Sequence, residues 1–140
     1  MHPIHPVVVH FPLALLSASV LFDLLARRWR RESFQETGFY VLIAGLLGAV
    51  VAVVTGGLAE DAVKHRGVPH AALEVHETLA YATLYFFIGL LALRLLMRWK
   101  LIREMPLLYL VMGVVGILIL AATGYFGGSL VYDYGAGVSK

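Results

Sequence analysis

Apolar residues fill four stretches of the chain almost without interruption: Val7–Ala26, Gly38–Leu58, Leu79–Leu96 and Leu107–Phe126. Polar and charged residues collect between them. Each run approaches the roughly 20 residues that a helix needs to cross a hydrocarbon core about 30 Å thick. Inside lipid the backbone groups of such a run must satisfy one another, so each predicts a transmembrane helix. Short connections predict an up-down-up-down bundle with helices one and three diagonally opposite. The expected fold is an all-α integral membrane protein, one four-helix domain over residues 1–140.

Composition supports lipid as the solvent. A soluble chain of 140 residues could not hide a sequence that is 60% hydrophobic and 14% charged, with a mean hydropathy of +0.82. The net charge of +2 is small and its basic residues sit in loops, so nucleic acid is not an expected partner. No cysteine is present, which excludes disulfides, thiolate metal sites and covalent c-type haem attachment.

The placement of charge sets an expected orientation. Arg27, Arg28, Arg30 and Arg31 lie between helices one and two, and Arg98, Lys100 and Arg103 between three and four. Only Lys64 and Arg66 mark the central connection, and Lys140 the tail. Positive loops favour the cytoplasm, so both termini are expected on the outer, periplasmic side of a bacterial inner membrane. The start lacks a basic segment and a small-residue cleavage site, so helix one is expected to be retained. All six histidines (His2, His5, His10, His65, His70 and His76) then fall on the outer side.

Two parallel two-helix repeats, about 5–63 and 71–131, are expected from internal matches. A shift of 66 carries Val9-His10 onto Val75-His76 and Leu13-Ala14 onto Leu79-Ala80. A shift of 68 carries Gly45 onto Gly113, Gly48 onto Gly116 and Thr55-Gly56 onto Thr123-Gly124. His10 and His76 then face each other across a pseudo-two-fold axis. An imidazole in an apolar run is costly unless coordinated or hydrogen-bonded, and two of them on opposite helices suit the axial ligation of one non-covalent haem b. Ala14 and Ala80, one turn further on, leave room for a ring; Thr55, Gly56, Thr123 and Gly124 return to the same level. Lys64 and Arg66 are candidate partners for the propionates.

Other features carry competing readings. His5 and His70 form a possible second pair, for haem or for a metal such as zinc or copper, with His2 and His65 nearby. Small residues are also ordinary in membrane-helix interfaces. Glu74 and Glu77 suit the first turns of helix three. Asp23 is expected to pair with Arg27, four residues on. The tail Gly127–Gly137 reads as a loop or short cap at headgroup level.

The opening HPIHPVVVHFPLALL, His76 in helix three and the terminal GGSLVYDYGAGV resemble the bacterial membrane-protein family catalogued as domain of unknown function 2231. The resemblance covers nearly the whole chain and implies a four-helix membrane topology; some relatives are associated with haem and electron-transfer proteins. The leading expectation is a b-type cytochrome or cytochrome-like subunit carrying electrons to a redox partner on the outer side. Bis-histidine ligation leaves no open iron position, and no nucleophile–base–orienter set is evident. A metal-binding or transport protein using the outer histidines, and a non-redox accessory subunit, are the alternatives. Assembly as a homo-oligomer or in a larger membrane complex is compatible with each.

Overall fold

The computed structural model describes residues 4–64 and 67–136, with backbone alone at 61 and 62. It contains α1 (His5–Val8), α2 (His10–Trp29), α3 (Glu32–Lys64), α4 (His70–Arg98) and α5 (Pro106–Tyr132). No strand occurs among the described residues. The first two helices are one span, His5–Trp29, and with α3, α4 and α5 give four helices long and apolar enough to cross a membrane. The break at Val9 is slight. Its dihedrals stay helical (φ −61°, ψ −22°), and its N–H still reaches the His5 carbonyl at 3.1 Å. Pro12 has no N–H to offer the Val8 carbonyl, so one rung of the ladder is missing there.

The protein is an all-α integral membrane bundle. Helix α2 lies along α3, and α4 along α5; contacts of α2 with α5 and of α3 with α4 close the ring. Helices α2 and α4 thus occupy one diagonal, α3 and α5 the other. Lipid tails are as apolar as leucine, so helices associate through close packing rather than by escaping water. Leu16 and Phe87 are fully buried at the centre, and each is met by a glycine of the neighbouring helix. A Cβ on Gly45 would lie 2.7 Å from Leu16 Cδ2, and one on Gly116 would lie 2.9 Å from Phe87 Cζ.

These contacts follow a different register from the shifts of 66 and 68. An offset of 71 carries Leu16 onto Phe87, Gly45 onto Gly116, His5 onto His76, and Gly56-Gly57 onto Gly127-Gly128. The same offset carries Asp23 onto Arg94, and these two meet each other across the diagonal. Arg94 Nη1 lies 2.8 Å from Asp23 Oδ1 and donates to Oδ2 at 2.9 Å and to the Tyr109 hydroxyl at 3.2 Å; Nη2 donates to the Gln35 carbonyl at 2.6 Å. Asp23 therefore pairs with Arg94 and not, as its spacing suggests, with Arg27. A charge inside a span gains more from a partner in the bundle than from an exposed one on its own helix.

Two boundaries also differ from the hydropathy pattern. Helix α3 runs past Leu58 to Lys64, which bonds Glu60 one turn back. Helix α5 runs through Gly127 and Gly128 to Tyr132, so most of the expected tail loop is helical.

Candidate functional site

The histidine end of the bundle holds a cavity of about 480 Å³, walled by α1 and the ends of α2, α3, α4 and α5. Its lining is mostly apolar, including Leu13, Val53, Leu73, Ala80 and Leu120. Two imidazoles enter it from opposite sides. The ring of His5, on α1, and the ring of His76, on α4, have centroids 6.3 Å apart and planes inclined at 74°.

Both rings are held the same way. His5 Nδ1–H donates to the Ala52 carbonyl at 2.9 Å, with Thr55 Oγ1 at 3.3 Å. His76 Nδ1–H donates to the Thr123 carbonyl at 3.2 Å. A carbonyl oxygen only accepts, so the proton of each neutral ring is on Nδ1, and Nε2 keeps its lone pair. Among the described residues no group takes up either Nε2. Glycine makes the seating possible. A Cβ on Gly56 would lie 3.1 Å from His5 Cε1, and one on Gly127 would lie 2.8 Å from His76 Cε1.

The glycines one position further differ in kind. A Cβ on Gly57 or Gly128 would meet nothing within 4 Å, although both residues line the cavity. Helix packing does not require glycine at these two equivalent positions; they widen the cavity instead. Below the rings, the buried Thr83 hydroxyl lies 2.8 Å from Thr123 Oγ1, which bonds the Ile119 carbonyl at 2.9 Å.

The other residues singled out in the sequence distribute as follows. His10 is exposed at the edge of the cavity, and the ring opposite His76 is that of His5. Ala80 and Gly124 line the cavity; Ala14 is exposed and stands off its wall. Thr55 and Gly56 seat His5, whereas Thr123 serves His76 through its carbonyl. His70 is exposed, with Nδ1 3.7 Å from Glu74 Oε2, and does not meet His5. Lys64 stands at the histidine end with Glu60, which lines the cavity together with Glu77. Arg66, His2 and His65 lie outside the described residues. No group of three or more His, Cys, Asp or Glu able to hold a metal ion occurs among the described residues.

The family described as predicted membrane protein (DUF2231) matches residues 1–140. The chain belongs to this family. No curated protein and no solved structure matches it. Membership agrees with the four apolar spans, and the reading of the cavity in this DUF2231 protein rests on its own residues.

The pairing of His5 with His76 was hidden from sequence reasoning. The partner of His76 was obscured by the nearer match of Val9-His10 to Val75-His76. The signal that identifies His5 is the double glycine: Gly56-Gly57 and Gly127-Gly128 share the offset that relates the two seated histidines.

Proposed function

We propose that this DUF2231 protein is a b-type cytochrome-like electron carrier, with one haem b held between His5 and His76 near the outer membrane face. The observation that carries the reading is the pair of imidazoles fixed through Nδ1 by equivalent backbone carbonyls, leaving two Nε2 lone pairs for one centre. Orientation of a metal-binding imidazole by a bond from its other nitrogen is the usual support of such ligands. Metal–imidazole bonds are about 2 Å long, so two rings on either side of one atom have centres about 6 Å apart, as these do at 6.3 Å.

The donor set favours a macrocycle over a bare ion. A zinc centre needs three or four protein ligands, whereas a haem brings four nitrogens and asks the protein for two. The cavity volume of about 480 Å³ lies within the range of cofactor pockets. Gly57 and Gly128 leave open space in the cavity that a flat ring could use, and Leu13, Leu73 and Leu120 would offer it apolar contact. Lys64, which bonds Glu60, and Arg66 would be the basic residues toward the propionates.

A bound haem would supply one-electron transfer; His5 and His76 would hold its iron, and two imidazole ligands would leave no place for oxygen to bind. The chain's own contribution is to fix both ring tautomers and to exclude water from the iron level. The Arg-rich loops favour a periplasmic position for this site, where it would meet a redox partner protein.

A spectrum of the purified protein tests the reading. Expression with ample haem should give a dithionite-reduced protein with a sharp α band and a haem-to-protein ratio near one. A colourless protein that also fails to take up added haemin in titration would refute it.

A further inference from the structure

Four described residues have a backbone φ in the left-handed region. Two lie at the histidine end and are glycines, Gly67 (φ 79°) and Gly135 (φ 68°). Two lie at the opposite end and are basic, Arg30 (φ 51°) and Lys100 (φ 57°). Glycine takes this conformation without steric cost and is the usual residue where a helix closes in a Schellman turn. Lys100 occupies such a turn: its N–H reaches the Met97 carbonyl at 3.0 Å, and the Leu101 N–H reaches the Leu96 carbonyl at 2.9 Å. Arg30 ends α2 in the same left-handed state. The chain uses glycine for this purpose at one end of the bundle, yet accepts the steric cost of a Cβ twice at the other. Each time the residue is a cation. Backbone strain of this kind persists where surrounding structure or function imposes it.

Both residues line one cavity of about 850 Å³ at the inner end, together with Arg27. Arg94 and Arg98 line it too, but Arg94 is committed to Asp23, and Arg98 to Glu36 at 2.5 Å. Arg27, Arg30 and Lys100 have no ion-pair partner among the described residues, and Glu32 and Glu104 on the same wall reach none of them. Trp29 and Trp99, directly before Arg30 and Lys100, are both exposed, and the Arg28 guanidinium lies 5.8 Å from the Trp29 ring centre. Indoles at a span's end mark headgroup level. Each half of the chain thus places a left-handed cation in one cavity directly after an exposed Trp, at the depth of lipid phosphates.

We infer that this inner cavity binds a phosphate group, with Arg30 and Lys100 as its two arms, carried either by an anionic phospholipid or by free inorganic phosphate. Basic pockets between helices at a membrane surface recognise such headgroups by charge. The site is independent of the haem reading, since it shares no residue with the histidine cavity.

Native mass spectrometry of the full chain in detergent, with phosphatidylglycerol or phosphatidylcholine added, tests it. The unaltered protein should retain phosphatidylglycerol and release phosphatidylcholine. Replacing Arg30→Gly and Lys100→Gly together should weaken phosphatidylglycerol retention by about tenfold, without lowering the Tm in lipid-free detergent, because glycine relaxes both turns. Arg30→Gln with Lys100→Gln, which keeps the side-chain bulk and removes the charge, should weaken it similarly. Inorganic phosphate raising the Tm of the unaltered protein as much as phosphatidylglycerol does, and that of the variants not at all, would support the site and assign it to the free anion. Equal retention of the two lipids by the unaltered protein, or undiminished phosphatidylglycerol retention in both double variants, overturns the proposal.

Discussion

Each imidazole of the histidine cavity rests on a glycine, so the site is sensitive to a single methyl group. A Cβ at 127 would lie 2.8 Å from the His76 ring and one at 56 would lie 3.1 Å from the His5 ring. In Gly127→Ala the ring must move and its bond to the Thr123 carbonyl must lengthen; haem occupancy should fall several-fold, and more than in Gly56→Ala. Gly57→Ala meets no protein atom, so any loss of haem there would report contact with the cofactor edge itself. Pigment-to-protein ratios of the three variants check the order. At this scale the sequence was half legible. His76 stood out as a polar ring in an apolar run, but its partner depended on a register that hydropathy does not resolve. Runs of Leu, Val and Ala match one another at many shifts, and His10 offered a closer alignment than His5. Only contacts between helices separate 66 from 71.

Between elements, the packing of α2 on α3 and of α4 on α5 depends on close approach. A Cβ on Gly45 would lie 3.0 Å from the Leu16 backbone nitrogen as well as against its side chain, so α2 and α3 must separate to admit it. Gly45→Ala should cost about 1–3 kcal/mol in detergent-unfolding measurements. Gly116→Ala should cost less, because the nearest atoms its Cβ would meet belong to the Phe86 and Phe87 rings and none is backbone. The diagonal pair at the end opposite the histidines makes a second claim. Side chains of Asp23 and Arg94 are each only 12% exposed, and Asp23→Ala leaves the guanidinium buried without its anion. The loss should be about 3–5 kcal/mol, with much of it recovered when Arg94→Met is added. A double variant that loses the sum of the two single losses would mean that the pair does not couple. The four spans were plain in the sequence because lipid imposes about 20 apolar residues on each. Their polar extensions were not, since the stretch from Ala59 to Lys64 is held helical by its own backbone and carries no hydropathy signal.

Across the whole molecule, two pairs of residues that share the offset of 71 meet each other. His5 meets His76 at one end and Asp23 meets Arg94 at the other, about 27 Å of helix apart. The bundle thus carries a pair of imidazoles at one end and a fixed charge pair at the other, with the buried Leu16 and Phe87 between them. The Arg-rich loops predict an orientation: single cysteines at Gln35 and Tyr134 should label from the cytoplasmic and periplasmic sides respectively in intact cells. The reverse pattern would put the histidine cavity on the cytoplasmic face. The central claim is that His5 and His76 share one iron. Electron paramagnetic resonance of the ferric protein tests it most directly. A low-spin bis-imidazole signal in the unaltered protein and in His10→Ala, lost in both His5→Ala and His76→Ala, is the expected result. A low-spin signal that survives His5→Ala but disappears in His10→Ala would contradict the account and make His10 the ligand.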